Sequence, residues 1–484
     1  MKIFKSIDCK GQVMVTVGIV LVVLVTLTGL AIDSGRAYSV KAKLNAALDA
    51  AGIAAARAVA DGDDEARAAA LTFFNSNYPT HYMESAPNFC PPSGSPTITT
   101  DSSSGDTAIT VWATADMPTL FMRIIGQDTV DVAANTMATR RAVDLAFVVD
   151  NTGSIGSDGP EVRARSIDFV HEFHPNFDRL ALINYAYGAE VPVPIRTDSR
   201  GFPLSTVETE INSFTFNGYT NCAEGFWQGK NQLEAVDTPS SIRVIVFFTD
   251  GAPNTISSYF DFDNNNPRLG SIRSGDIDPD SYWSWNSRDV AGLYRHDRIS
   301  QVIYGYNYGT TIPAHLLGLP DFYNAHTTDI DSGPDYDPDP YDPDYQKFRI
   351  ITGDASGLFG DLIPGTRLVE QCPGPDSYGN YICSKTELHD RVNNASRNIL
   401  EAMAKEARQQ GIFVYTLGLG DLLTKGRGPN DEPGEVILLR MANDMDADIR
   451  FADEPEGFYC HAQTTDDLGP CYNRVIEEII RLTI

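Results

Sequence analysis

The sequence predicts an α/β protein: a doubly wound sheet with flanking helices and a large insertion, preceded by a transmembrane helix and a small α+β stalk. Three observations carry this. Residues 13–32 form an apolar run without a charge. Residues 143–149 and 244–248 are apolar runs of the kind found in strands buried on both faces of a parallel sheet. Each of those two runs ends in a turn rich in hydroxyl and carboxylate oxygens.

At 484 residues the chain accommodates two or three domains. Its 42% hydrophobic and 21% charged content suits a globular protein rather than a disordered one. The net charge of −28 argues against nucleic acid, because phosphate binding needs clustered Lys and Arg. An acidic surface is repelled by anionic lipid and concentrates divalent cations and basic partners.

Lys2, Lys5 and Lys10 mark residues 1–12 as a cytoplasmic leader, and residues 13–32 span about 30 Å of hydrocarbon at about 1.5 Å per residue. The alternative is a signal peptide cleaved at Gly29-Leu30-Ala31. An uncleaved anchor is favoured because the pattern does not break: it continues into an Ala-rich helix, with no Pro, to about Ala60. Positive charge flanks both ends of the span, since Arg36, Lys41 and Lys43 follow it, so orientation rests on the cysteines. Cys9 precedes the span and six cysteines follow it. The close-spaced pairs Cys372/Cys383 and Cys460/Cys471 suit short disulfide loops in an oxidising compartment, with Cys90–Cys222 a weaker third pair. The bulk of the chain is therefore expected on the exported side of the membrane.

Residues 33–140 read as a helix to about 60, a second helix over 64–78, and three strands near 97–100, 108–113 and 129–134, where the alternation has period two. This pilin-like plan carries no chemistry. The stretch from 141 to 484 does, interrupted by an insertion at about 256–385. The run Val143-Asp144-Leu145-Ala146-Phe147-Val148-Val149 leads into Asp150-Asn151-Thr152-Gly153-Ser154. A carboxylate and two hydroxyls at alternate positions of a tight loop aim three oxygens at one point. Hard cations such as Mg²⁺ take oxygen ligands and keep several waters. Thr220, ahead of an apparent helix, offers another hydroxyl, and the strand over 243–248 ends in Thr249-Asp250-Gly251. In a doubly wound sheet such loops converge at the carboxyl edge.

This constellation resembles the metal-ion-dependent adhesion site (MIDAS) of von Willebrand factor A (vWA) domains: D-x-S-x-S, a distant Thr, and an Asp in a T-D-G turn. The resemblance implies Asp150, Thr152, Ser154, Thr220 and Asp250 as ligands of Mg²⁺ or Mn²⁺. Thr152 departs from the pattern by standing where the family has Ser. A later helix over 396–410, a strand over 412–417 and a final helix over 471–482 complete the resemblance.

The insertion is rich in Asp, Asn, Tyr, Pro and Trp, including Trp283 and Trp285, and its length implies structure of its own. Residues 261–265 and 335–345 offer carboxylates for Ca²⁺ but lack the Gly and terminal Glu of an EF-hand loop, so solvated loops are the preferred reading. At the N-terminus, the basic leader, the span, Ala31-Ile32-Asp33-Ser34-Gly35-Arg36-Ala37-Tyr38 and the Ala-rich helix resemble the TadE/TadG-like segment of tight-adherence (Flp) pilus assembly. TadG-like proteins join that segment to a vWA domain in this order, and the resemblance implies a bacterial cell membrane, crossed once, with the bulk of the chain in the periplasm or at the cell surface. A prepilin cleavage site is not matched: Gly11 precedes the run, but Thr16 stands where pilins place Glu.

Catalytic motifs are missing. Ser154 is not in a G-x-S-x-G elbow, and no phosphate-binding loop or H-E-x-x-H occurs. His171 and His174 read as solvated residues of a surface helix. Two functions follow. One is a non-enzymatic, membrane-anchored pilus-assembly factor whose metal is completed by an Asp or Glu of a protein partner, an assembly subunit. The other is a surface adhesin contacting a host or matrix ligand through the same domain and its insertion.

Overall fold

The structure is a computed structural model and describes residues 10–262, 266–275, 290–299, 301, 317–326, 348–352, 366–370 and 384–483. The chain divides into two compact units, Met1–Arg141 with Thr483–Ile484, and Ala142–Leu482.

The first unit is organised by α1 (Lys10–Ala58), a 49-residue helix without a proline. Its apolar N-terminal part is exposed, and among the described residues it is the one helix long and apolar enough to cross a membrane. Farther along, Val40, Leu44, Ala47, Leu48, Ala51 and Ala55 are fully buried. Their spacing of three and four is that of one helical face. α2 (Asp63–Asn77) opens on three acids, which suit the positive end of a helix dipole, and buries Ala66, Ala70 and Phe74. The sheet has four antiparallel strands: β1 (Ala86–Phe89), β2 (Thr97–Thr100), β3 (Thr107–Pro118) and β4 (Thr129–Arg140). Ile109, Val111, Ala113, Ala115 and Met117 of β3 alternate inward and share one core with α1. The two long strands run farther than the sequence alternation marks, and β1 was not foreseen. Pro87 within it breaks the apolar pattern and sits on an edge strand, where a missing N–H is tolerated.

In the second unit the elements follow in the order β5 (Val143–Asp150), α3 (Gly159–Val170), β6 (Arg179–Tyr185), β7 (Ala189–Val193), α4 (Leu204–Asn212), α5 (Cys222–Glu234) and β8 (Ile242–Thr249). The insertion supplies β9 (Thr255–Phe262), β10 (Asn266–Ser274), β11 (Val290–Tyr294) and β12 (Leu317–Gly318). The chain then returns through α6 (Lys385–Gln409), β13 (Phe413–Leu419), the short hairpin β14 (Gly426–Arg427) and β15 (Glu432–Pro433), α7 (Gly434–Ala442), β16 (Tyr459–Ala462) and α8 (Leu468–Thr483). The central sheet has the order β16-β13-β8-β5-β6-β7, parallel except for β7. Leu145, Phe147 and Val149 face α3, α4 and α8, while Ala146 and Val148 face α5 and α6. Helices thus cover both faces, as the α/β expectation required.

The 143–149 run is not wholly apolar in its environment. Asp144 has no exposed surface, and its carboxylate accepts from the Ser240 N–H (2.6 Å), the Ser240 hydroxyl (2.7 Å) and Arg179 (3.2 Å). Arg179 is itself buried and also donates to the Ser199 and Thr238 carbonyls, each at 2.9 Å.

The described part of the insertion is a four-stranded antiparallel sheet of order β11-β10-β9-β12. Ile256, Phe260, Ile272, Val290 and Leu293 join the core made by α5, α6 and the central sheet. Asp261 and Phe262 belong to β9 and pair with β10, so the 261–265 stretch is partly strand rather than an open cation loop. Residues 335–345, Trp283, Trp285, Cys372 and Cys383 lie outside the described residues. α6 begins eleven residues before the expected start at Ser396, on a capping box in which Ser384 and Glu387 satisfy each other's backbone. His171 and His174 follow the end of α3 rather than lying within a helix, and His171 pairs with Glu208 at 2.6 Å.

Cys460 and Cys471 are joined by a disulfide, tying edge strand β16 to α8 with Cα atoms 5.6 Å apart. Cys90 and Cys222 are buried free thiols, which removes the weaker third pair.

The buried Asp144 gives the fold a measurable weak point. Asp144→Ala leaves the Arg179 charge without its carboxylate inside the protein, and we expect a loss of about 3–5 kcal/mol in denaturant unfolding. Adding Arg179→Met should recover part of it; a double variant no better than the single one contradicts this account.

Candidate metal site

Strands β5 and β8 are adjacent and parallel, so their carboxyl ends release the 150–154 and 249–251 turns side by side. Asp150 and Asp250 are 0% and 4% exposed. Asp150 Oδ1 accepts the Thr152 N–H at 2.8 Å, and its Oδ2 accepts the Thr249 hydroxyl at 2.7 Å. The Tyr185 hydroxyl, at the end of β6, lies 3.2 Å from that Oδ2 and 3.2 Å from the Phe248 carbonyl, free to donate to either. Asp250 Oδ1 accepts from Ser154 Oγ at 2.7 Å and faces Thr152 Oγ1 at 3.4 Å. The two hydroxyls are 3.0 Å apart. Thr152 is buried and Ser154 exposed, which opens the cluster to solvent at Ser154.

Thr220 arrives from the loop before α5. Its N–H donates to Asn254 Oδ1 (3.0 Å), and the Asn254 N–H returns to the Thr220 carbonyl (3.2 Å). A Cβ on Gly251 would lie 3.5 Å from Thr220 Oγ1, which puts that hydroxyl against the Asp250–Gly251 turn. The structure therefore brings Asp150, Thr152, Ser154, Thr220 and Asp250 to one edge of the sheet.

Several supporting side chains were not singled out from sequence. Thr249 and Tyr185 hold Asp150, and Asn151 Oδ1 accepts the Phe216 N–H at 2.6 Å, tying the first turn to the 216–220 loop. Asn221 caps α5 and donates to the Tyr187 carbonyl (2.9 Å) and to Ser257 of the insertion (2.8 Å). One turn on, Glu224 is fully buried, accepting from Tyr323 (2.5 Å) and pairing with His326 (2.6 Å), whose ring stacks on Trp227 at 3.5 Å. Burial opposes ionisation of Glu224, but the charges of His326 and His296 and the Tyr323 hydrogen bond hold its carboxyl below the ordinary range. The signal available for Thr249 was its place beside Asp250; Tyr185 carries none, because its role depends on strand pairing.

The electrostatics set this site apart. Burial pushes the Asp150 carboxyl up, against the hydrogen bonds of Thr152 and Thr249. Burial pushes Asp250 well up, and the charge of Asp150 adds to it. Among the described residues the groups facing the pair are hydroxyls and amides, not Lys or Arg. Nor do the described residues hold a cluster of three or more His, Cys, Asp or Glu side chains suited to a metal. Any cation here must be held by two carboxylates and neutral hydroxyls. That donor set fits a hard divalent ion retaining part of its water shell. Its charge would relieve the repulsion between the two acids.

Residues 11–58 match the Tad family model, described as Flp pilus-assembly TadE/G-like, and residues 145–252 match the model of the von Willebrand factor type A domain. Asp150, Thr152, Ser154, Thr220 and Asp250 all fall inside the second match. No curated protein matches the chain. Three pilus proteins are among the similar solved structures. The pilus adhesin SpaC from Lactobacillus rhamnosus GG is 16% identical, with 80% of this chain and 34% of that one covered, at a TM-score of 0.35. The vWF domain of the type V pili tip protein Mfa5 from Porphyromonas gingivalis is 14% identical over 72% and 98%, at 0.38. The PilB minor pilin from Streptococcus sanguinis is 13% identical over 83% and 79%, also at 0.38. The chain spans about a third of the length of SpaC. TM-scores this low say nothing about a shared site.

The raised carboxyls give a pH signature. A folded-state value above the unfolded one favours the protonated fold, so this contribution is complete below about 3.9 and is lost as pH rises through the raised values. In chelator, the melting temperature of the detergent-solubilised chain should carry a component that falls across that window. Mg²⁺ should reverse it, most strongly at the upper end, by about 2.7 kcal/mol at a hundredfold excess over Kd. Asp250→Asn should flatten both effects; a variant as pH- and Mg²⁺-responsive as the parent would exclude this pair as their source.

Proposed function

We propose that this chain is a membrane-anchored factor of tight-adherence (Flp) pilus assembly that binds a protein partner through a divalent cation at the carboxyl edge of its central sheet. The observation that carries the proposal is the buried Asp150–Asp250 pair, opening to solvent beside the exposed Ser154 hydroxyl. Two like charges kept out of water, with no Lys or Arg facing them among the described residues, are costly to the fold. A site for Mg²⁺ or Mn²⁺ supplies the compensation.

In this reading the residues divide the work. Asp150 and Asp250 supply charge. Thr152, Ser154 and Thr220 supply neutral oxygens, directly or through water. Thr249 and Tyr185 hold Asp150 in orientation. The bound cation supplies an electrophilic centre for an acidic side chain of the partner, and the open side at Ser154 is where that side chain enters. The N-terminal match to the TadE/G-like model, joined to the apolar helix, supports membrane anchoring within the pilus-assembly system. The Cys460–Cys471 disulfide supports an exported second unit.

Capture from detergent-solubilised membranes tests the partner. The full chain should retain a specific protein in Mg²⁺ and release it in chelator, and Asp150→Ala should retain none in either. An unchanged set of retained proteins across all conditions would sink the metal-dependent reading. Thr152→Ser tests the departure from D-x-S-x-S: titration calorimetry should show Mg²⁺ binding equal to or tighter than that of the parent, because the hydroxyl stays and only a methyl leaves. Marked weakening would mean that the methyl packs to position the ligand.

A further inference from the structure

Asp33 stands where α1 leaves its apolar run, and it is 1% exposed. Its partners lie across the sheet turn between β3 and β4. The carboxylate accepts the backbone N–H of Leu120 and Phe121, both at 2.9 Å, and of Met122 at 2.8 Å. Arg36, nearly one helical turn on, donates to the carbonyls of Pro118 and Met83, each at 3.0 Å. One turn in the other direction, Gly29 leaves room for Phe121, since a Cβ there would come within 2.5 Å of the Phe121 Cβ. Spacings of four and three put these positions on one face of the helix. Together they clamp the 119–128 turn.

The clamped turn has an apolar, exposed surface. Ile124 and Ile125 are 77% and 68% exposed, with Leu120 and Phe121 beside them. Turns that face water are ordinarily polar. Phe121, Ile124 and Ile125 share a groove with Leu21, Val22 and Val25 of α1. Leu21 is twelve residues before Asp33, about 18 Å along the helix axis. The backbone of the turn is closed on itself as well. The N–H groups of 119, 124, 126 and 127 bond to carbonyls within the turn, and those of 120–122 to Asp33.

We propose that the 119–128 turn is a second membrane-embedded element, covered by acyl chains of the exported-side leaflet. The proposal rests on the reading of residues 13–32 as a bilayer span. Its argument is continuity: the groove that the turn forms has the span itself as its other wall. A segment against Leu21, Val22 and Val25 is in hydrocarbon if they are. Backbone amides in lipid must find partners inside the protein, and seven amides of the turn do so, four on its own carbonyls and three on Asp33. Residues 119–128 carry two charges: Asp128 stands at the end of the turn, directly before β4, and the Arg123 side chain is long enough to carry its head to the headgroups. Asp33 is a positioning residue in this arrangement: it ties the turn to the helix at the level of the bilayer surface.

The test is a nitroxide attached through a genetically encoded ketone side chain, which leaves the seven cysteines alone, in the full chain reconstituted in liposomes. Labels replace Ile124, with Leu24 as the lipid reference and the exposed Thr99 as the water reference. The label at 124 should collide with oxygen rather than with a water-soluble nickel chelate, as at 24, at a depth of about 5–10 Å or more below the phosphates. In Asp33→Ala the label at 124 should turn toward nickel while that at 24 stays unchanged. Nickel access at 124 equal to that at 99, with 24 still in lipid, overturns the embedded turn and leaves the span intact. Shielding of 124 from both reagents means that protein covers it, a second copy or another subunit, and overturns the proposal equally. Nickel access at 24 overturns the span and the turn together.

Discussion

The carboxyl edge of the central sheet keeps two carboxylates out of water a short distance apart, and much of the second unit is arranged around that constraint. Asp150 is held on both oxygens, by the Thr152 amide on one and by Thr249 with Tyr185 on the other. Each partner depends on something larger. Tyr185 reaches Asp150 because β5 and β6 pair in parallel with those two residues in register. Thr249 reaches it because β8 ends beside β5, one residue short of Asp250. A slip of one residue would turn these side chains to the opposite face and leave the acids unsatisfied.

Much of this was legible in sequence, for physical reasons. Strands buried on both faces must be apolar at consecutive positions, and the turns that end them must carry the polar atoms, so β5 and β8 announce themselves. What stayed hidden is polarity inside the core. Asp144 sits second in an otherwise apolar run because Arg179 and Ser240, distant in sequence, satisfy it. The first turns of α6 read as irregular because their buried face carries His389, Asn393 and Asn394. Those side chains bond to Gly275, Ser274 and Leu368 across the fold. Period-based reading recognises a helix by its apolar stripe, and here part of the stripe is made of amides. Tyr185 lies in the same class: its chemistry comes from its neighbours.

The insertion is built into the domain rather than hung from it. Asn221 directly follows Thr220, caps α5, and bonds to Ser257 in β9. Glu224, one turn into α5, is buried against Tyr323 and His326 beyond β12. At its far end Arg367 is clamped by Glu401 and Glu432, and Arg397 and Arg440 share Glu432. Detaching the insertion would strand Glu224 without its partners in a buried setting and take Arg367 away from Glu401 and Glu432, which is strongly destabilising. The loop bearing Thr220 and the sheet of the insertion are therefore tied together through adjacent residues.

The unbroken α1 also sets a clearance. With residues 13–32 in the bilayer, residues 33–58 rise about 39 Å beyond it. β4 starts at Thr129, beside the turn held by Asp33, and its twelve residues cover about 40 Å, so strand and helix are matched in length. The chain thus leaves the first unit at the end farthest from the membrane. At the usual helix tilt of about 20° the height shrinks little.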